Sequence, residues 1–359
     1  MVAKFRWSDM ARLVQSRVRA HLVGMAGALS KRILIAGAGS IGCYVGGRLA
    51  AAGREVTLLA RRRVIADIRK HGLSLSDLDG RSAEVAADAL RLTRDPVAVA
   101  GADLILVTVK SRDTAAIGKL IAEHAKPEAV IVSLQNGTAN AERLRALVGD
   151  RLVIAGMVPF NVLSRGEGRF HRGTSGTVLI GPGPAWVEEL LAVPDLPLAT
   201  HPDMVAVQWG KLMINLNNAL NALSGLPLRE QLLDRNWRML LAAQQREGLR
   251  LLKRAEIRPW SMGRIPIHLL PWALRLPTFL FTRLAAAAVK IDPQARSSMW
   301  EDLENRRPTE IGDLQGTIVA LAARWGMKAP VNARIAAAIA RAEAAGEGSP
   351  KLDARSLMR

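Results

Sequence analysis

Four short stretches bring together residue types that can move a proton or hold an anion. The first is "QWGKLMINLNNALNALSG", residues 208–225. Lys211 stands in an apolar run of helical period, Asn215 follows at i+4 and Asn218 at i+7, so the three share one stripe of a helix. Burying a lysine and two amides along one stripe costs free energy unless they bind something. A lysine can give a proton to a carbonyl oxygen that is becoming an alkoxide, and amides can hold carbonyl or hydroxyl groups. A site for a small oxo acid needs those two abilities. The alternative is an Asn-rich face on a surface helix with a snorkelling lysine. The second and third stretches, "VTVKS" and "SLQNG", end apolar runs at Lys110 and Asn136. Each places a polar residue where a strand gives way to a loop, although Asn136-Gly137 is also a good turn pair by itself. The fourth, "SSMWEDLENRRPTEIGDLQG", sets Ser297, Ser298, Asp302, Glu304 and Glu310 around one helix and a turn. Glu310 there could instead be an acid at a helix start.

The elements that must position these residues begin at "RILIAGAGSIG". Residues 32–36 read as a buried parallel strand, and residues 40–52 as the helix after it. Between them Gly37, Gly39 and Gly42 have the G-x-G-x-x-G spacing. The first glycine permits the tight turn and the second lets backbone approach a pyrophosphate. The third lets helix pack on strand, with Ser40 and Ile41 at the helix N-terminus facing the phosphates. In this strand–turn–helix setting the motif points to a dinucleotide; the alternative is a Gly-rich packing turn. A second strand, residues 55–60, ends in Arg61-Arg62-Arg63. An NAD enzyme usually has an acid there for the ribose 2′-hydroxyl. A carboxylate would repel a 2′-phosphate, whereas a guanidinium grips it. Arg61 is the best-placed candidate, and the expected cofactor is NADP(H). A solvated basic helix start is the alternative.

Further strands are expected at residues 103–109 and 129–134, and helices at 64–71 and 114–124. This alternation implies a doubly wound α/β sheet. Residues 152–182 read as extra strands closing the sheet. From about residue 204 the chain is Ala-, Leu- and Arg-rich with helical periodicity. The expected division is an extension at 1–30, a nucleotide-binding domain at 31–200, a helical substrate domain at 201–344 and a flexible tail at 345–359.

With 49% hydrophobic residues a sizeable core is available, so global disorder is excluded. The one cysteine, Cys43, excludes a disulfide framework and, with histidines lacking ligand spacing, a metal site; a reducing, cytoplasmic setting is expected. The net charge of +18 invites a nucleic-acid reading, but aromatics are only 4% and no recognition motif is present, so no specific nucleic-acid partner is expected. No apolar run is long enough for a transmembrane helix. Residues 1–30, with five bases and one acid, read as an extension, poorly ordered or a helix, with synthesis starting at Met25; an Arg-rich targeting or surface helix is the alternative. The apolar, Pro-interrupted stretch 260–290 is expected to line a pocket or form an interface, with a membrane surface as the alternative.

Taken in order, "GAGSIG", "LLARR", "VTVKS", "LQNG", "KLMIN" with the later "NAL", and "SSMWEDLENRRPTEI" resemble the ketopantoate reductase family over roughly residues 31–343. The Ser-Ser-Met followed by Thr-Glu is the most specific of these motifs. The resemblance implies a Rossmann domain joined to an all-α domain like the C-terminal one of 6-phosphogluconate dehydrogenase, with the active site in the cleft between them. It implies NADPH-dependent reduction of a 2-oxo acid, by default 2-dehydropantoate to pantoate. Lys211 matches the family's proton donor and Glu310 the acid near cofactor and substrate hydroxyls. Asn136 matches an asparagine touching both ligands, and Asn215 and Ser298 match substrate positions. Lys110 matches the strand-end lysine and Arg61 the 2′-phosphate partner. One departure stands out. The family's second substrate asparagine, eight residues after the lysine, is Ala219 here, and Asn218 falls one position early. A related dehydrogenase acting on another hydroxy acid or amino-acid adduct, or a cofactor-binding sensor without turnover, are the alternatives. A homodimer is also compatible.

Overall fold

The structure, a computed structural model, describes residues 30–263, 265–284 and 294–358. The expectation for residues 1–30 lies outside the described residues, Ser30 excepted, as does part of the stretch 260–290.

Strand β1 (Ile33–Ala36) is four aliphatic residues with no solvent on either face, which suits the middle of a parallel sheet. It pairs in parallel with β2 (Val56–Leu59) on one side and β6 (Leu104–Val107) on the other. Beyond β2 lies β5 (Arg91–Thr93); beyond β6 lie β7 (Val130–Ser133) and β8 (Val153–Met157), all parallel. Strand β11 (Val178–Ile180) is antiparallel to β8 and carries β12 (Leu198–Thr200) at the edge. The order is β12-β11-β8-β7-β6-β1-β2-β5, with the chain reversing direction across the sheet between β1 and β6. Helices α1 (Ser40–Ala51), α2 (Arg62–His71), α3 (Thr114–His124), α4 (Asn140–Arg145) and α5 (Ala185–Leu191) complete this α/β domain.

A second sheet lies on the far side of α1 and was not anticipated. It comprises β3 (Leu73–Asp77), β4 (Ser82–Val85), β9 (Val162–Ser164) and β10 (Arg169–Arg172), in the order β4-β3-β10-β9. The expectation that residues 152–182 all close the main sheet therefore holds for β8 and β11 but not for β9 and β10. Two adjacent glycines let α1 sit between the sheets. A Cβ at Gly46 would come within 2.9 Å of Leu58 and Ile35, whereas one at Gly47 would reach 2.8 Å from Leu75.

The helical domain begins with α6 (Met204–Asn215), whose Met204 and Val207 still belong to the core of the sheet. It continues through α7 (Asn217–Ser224), α8 (Leu228–Leu233) and α9 (Arg235–Arg254). Helices α10 (Leu270–Arg275), α11 (Thr278–Leu284), α12 (Ser298–Glu304), α13 (Gln315–Arg324) and α14 (Pro330–Ala345) follow. Leu216 separates α6 from α7, and such a break leaves carbonyls without intrahelical partners. Two buried glutamines satisfy them: Gln245 Nε2 donates to Met213 O at 3.1 Å and Gln315 Nε2 to Leu216 O at 2.9 Å. Arg238, fully buried, donates to the carbonyls of Leu232, Leu233, Leu274 and Leu276 and to Thr278 Oγ1, and its guanidinium lies over Phe281. One cation thereby holds the ends of α8 and α10 together.

The expectation of a flexible tail after residue 344 is corrected. Ser349 Oγ donates to Ala222 O and Leu352 N to Leu223 O at 2.8 Å. Ala354 and Leu357 are buried in the helical core on a short turn that Asp353 caps. The Gly- and Ser-rich opening of the tail hid two small anchors that follow it.

Candidate functional site

The glycine turn has the form the motif demands. Gly37 has φ +100°, and a Cβ there would collide with Val109. A Cβ at Gly42 would lie 2.7 Å from Thr108 Oγ1 and 2.8 Å from Gly37 O, so only glycine lets α1 approach β1 and β6 this closely. Gly39 is different: a Cβ there would meet no protein atom nearer than 4.0 Å. Its exposed backbone opens onto space that a ligand can fill. Gly39 is the N-cap of α1 but has no side chain to cap it, and no acid stands in the first turn. The N–H groups of Ser40 and Ile41 are therefore among those left for an anion. This is a cradle that fits a pyrophosphate.

The parallel strands place their carboxyl ends in a row, about 4.8 Å apart, and the row carries the predicted residues in order. Beyond β2 comes Arg61, exposed at the N-cap of α2, with its guanidinium bonded to none of the described residues. Ala60 N donates to Thr93 O at the end of β5, which brings Arg94 alongside. Arg62 and Arg94 border a hollow there. Beyond β1 comes the glycine turn. Beyond β6 stands Lys110, and beyond β7 stands Asn136. Beyond β8 the carbonyl of Pro159 accepts from Lys211 Nζ at 3.0 Å, so the lysine of α6 reaches across from the helical domain to the same edge.

Lys211 has no ion-pair partner among the described residues, and burial pulls its pKa down from 10.5 to about 8. Asn215, one turn on, is buried, and its side chain makes no hydrogen bond to another described residue. Its neighbour Asn217 is instead committed to structure, exchanging bonds of 3.1 and 2.8 Å with Gln231. Asn218 lies beyond the break, in α7, and its carbonyl accepts from Ser297 Oγ at 3.0 Å. That bond draws the start of α12 onto the asparagine stripe. Ser297 also caps α12, accepting from Trp300 N, so its hydroxyl is fully used. The next hydroxyl, Ser298, bonds none of the described residues.

Glu310 closes the cleft from the helical side. Its Oε2 accepts from Asn136 Nδ2 at 3.2 Å and lies 3.4 Å from Lys110 Nζ. Asp302 holds the same ammonium at 3.0 Å. Burial works against the charge on Lys110, but Glu310 and Asp302 outweigh it and hold its pKa above the usual lysine range. Burial also raises Asp302, against the pull of Lys110. Burial, with Asp302 adding to it, pushes Glu301 up to about 7. The loops are braced from below: Asn140 Nδ2 donates to Asn136 O and to Ser111 Oγ, and Gln135 Nε2 to Val109 O and Thr114 Oγ1. Asp302 was picked out in its stretch but given no role in the site, and Arg94 was not anticipated. Asp302 is i+4 from Ser298, the signal that placed it on that helix face; Arg94 depended on the unseen pairing of β5 with β2.

Asn136, Lys110 and Glu310 thus meet where the sheet edge faces the helical domain, and Lys211 reaches the same edge at Pro159 O. Known proteins share this fold. The profile of "Ketopantoate reductase PanE/ApbA" matches residues 33–185, and that of its C-terminal part matches residues 203–343. The chain is 28% identical to a 2-dehydropantoate 2-reductase of Pyrococcus horikoshii, over 89% of this chain and 99% of the relative. A ketopantoate reductase structure from Ralstonia eutropha superposes with a TM-score of 0.75 at 28% identity, over 88% of this chain and 99% of that one. D-mandelate dehydrogenase solved with NADH and anilino(oxo)acetate shares the fold, with a TM-score of 0.72 at 19% identity, over 88% of this chain and 99% of that one. Two matched profiles that together span most of the chain, and relatives matched along their whole length, place this protein in the ketopantoate reductase family of oxidoreductases.

Proposed function

We propose that this chain reduces a 2-oxo acid with NADPH, with 2-dehydropantoate as the default substrate and pantoate as the product. The observation that carries the reading is the row at the sheet edge: Arg61 with Arg94, the glycine turn, Lys110, Asn136 and Lys211, in that order. A dinucleotide laid along this row would have its 2′-phosphate at the arginines and its pyrophosphate at Gly39, Ser40, Ile41 and Gly42. Its nicotinamide end would lie by Lys110 and Asn136. The absence of an acid after β2 favours the phosphorylated cofactor. When bound, NADPH supplies the hydride for the ketone carbon.

The chain's own residues supply the rest. Lys211, held by Pro159 O, delivers a proton to the forming alkoxide and stabilises its charge. Asn215, Asn218 and Ser298, whose side chains bond no other described residue, orient the substrate's carboxylate and hydroxyl. Glu310 fixes Asn136 and Lys110 and accepts from a ligand hydroxyl. An anionic substrate brings Lys211 the counter-charge that the protein withholds, so substrate binding raises the lysine's pKa and keeps it protonated for transfer. The site is assembled within one chain, so the expected homodimer is not needed to complete it.

The buried Ala219 leaves the place of the family's second substrate asparagine apolar, which favours a 2-oxo acid other than ketopantoate as the second reading. A panel of branched 2-oxo acids, followed by the loss of NADPH absorbance, tests both readings. Turnover is expected with at least one member and near-complete loss in Lys211→Ala. NADPH binding with no turnover across the panel would leave a dehydrogenase acting on another hydroxy acid or amino-acid adduct, or a non-catalytic sensor.

A further inference from the structure

Away from the cleft, α9 turns Arg246, Arg250 and Lys253 to solvent at i, i+4 and i+7. Arg258 and Arg275 join them around an open depression of about 740 Å³ that shares no residue with the candidate active site. Among the described residues no carboxylate lines it: Glu247 of the same helix turns inward to bond Asn332 and Val331 N, and Glu256 stays outside the lining. His268 adds a sixth basic group. Residues 257–291 contain five Lys and Arg and not one Asp or Glu.

The segment that borders the depression, residues 269–284, exposes large apolar groups. Trp272, which lines the depression, and Phe279 are each 63% exposed. Leu269, Leu280 and Leu284 are exposed beside them. Arg238 and its bonds to Leu274 O, Leu276 O and Thr278 Oγ1 keep this segment rigidly seated, so the apolar groups are presented by a formed surface. A patch of this kind needs a partner that offers both negative charge and apolar depth.

We propose that this face docks onto a bilayer rich in anionic phospholipid. The arginines would meet the headgroups while Trp272, Phe279, Leu280 and Leu284 enter the headgroup–acyl boundary, as short amphipathic surfaces do. Charge selects this occupant over the others. A self-contact through a two-fold axis would set cations against cations. Residues 1–29, with five bases and one acid, carry the same sign. No helix among the described residues is long and apolar enough to cross a membrane, so attachment would be to one surface.

Vesicle co-sedimentation of the full chain at physiological salt tests the proposal. Binding to 1:1 phosphatidylglycerol–phosphatidylcholine vesicles is expected, with little to pure phosphatidylcholine. Each surface charge is worth about fivefold in partitioning, so Arg250→Glu with Arg275→Glu should weaken binding by more than about 50-fold. NADPH turnover should be unchanged, which shows that the variant folds. A control with the same charge change on other exposed arginines, Arg324→Glu with Arg341→Glu, should lose far less. Trp272→Ala with Phe279→Ala should also weaken binding at unchanged net charge. Equal losses in the two charge-reversed variants would mean attraction by overall charge and overturn the proposal. So would unchanged binding in the aromatic variant. Face-dependent binding to polyglutamate without vesicle binding would assign the face to an acidic protein. A change of oligomeric state on charge reversal, seen by sedimentation velocity, would assign it to a second copy.

Discussion

Replacing Lys211 by methionine keeps the length and apolar body of the side chain and removes the amine. Two opposite effects should follow. Loss of a positioned general acid lowers kcat by about 10²- to 10⁴-fold. Stability should move the other way. Burial lowers the ammonium from 10.5 to about 8, a penalty on the folded protein of about 3 kcal/mol at neutral pH. The sign follows from proton counting: between pH 8 and 10.5 the unfolded chain binds this proton and the folded one does not, so the penalty shrinks as pH rises through that window. Methionine escapes the penalty but forfeits the bond to Pro159 O, about 1 kcal/mol. The variant should therefore be more stable by about 2 kcal/mol at pH 7, with the gain gone by about pH 10.5. Urea midpoints at the two pH values, beside NADPH-coupled rates, measure both. A variant with a kcat within threefold of the parent, or one less stable at pH 7, would refute the role assigned to this buried cation.

Four other outcomes are expected. The kcat/KM for reduction should fall as pH rises through about 8, because the free enzyme must hold the Lys211 proton, while oxidation of the hydroxy acid should rise over the same range; stopped assays across pH 6–10 would show it. Arg61→Ala should raise the KM for NADPH by about tenfold or more and leave that for NADH unchanged, since only the 2′-phosphate bond is lost. Gly42→Ala should abolish NADPH binding, measured by fluorescence, and cost about 1–3 kcal/mol, because its methyl would crowd Thr108 Oγ1 and Gly37 O. Asp302→Asn should cost only about 1 kcal/mol by thermal melting, since Glu310 still pairs with Lys110, whose side chain is 36% exposed.

Much of this was legible in the chain because the informative signals are local. A strand, three glycines and a helix start are contiguous, and so is the run from Lys211 to Asn215; the expected stripe stops there, because the helix breaks at Leu216 and puts Asn218 in α7. The basic end of β2 could be read without any tertiary knowledge. The second sheet could not. Its strands are three to five residues long, alternate small polar with apolar residues, and pair β3 with β10 across some ninety intervening residues. The partnership of Asp302 with Lys110 was hidden for the same reason, since it spans 192 positions. The seating of residues 349–357 was missed because two buried residues, Ala354 and Leu357, secure a stretch whose composition otherwise reads as solvent-loving.

Arg238 has a consequence for the way this protein comes apart. Its guanidinium supplies bonds that would otherwise have to come from the backbone of α10 and the start of α11, so residues 270–281 form a cooperative unit whose local opening is governed by one side chain. Amide hydrogens in this unit should exchange together, and faster than those of α9. Removing the arginine would free the unit and leave the catalytic cleft assembled, giving an enzyme that still turns over but has become open to proteolysis at one place.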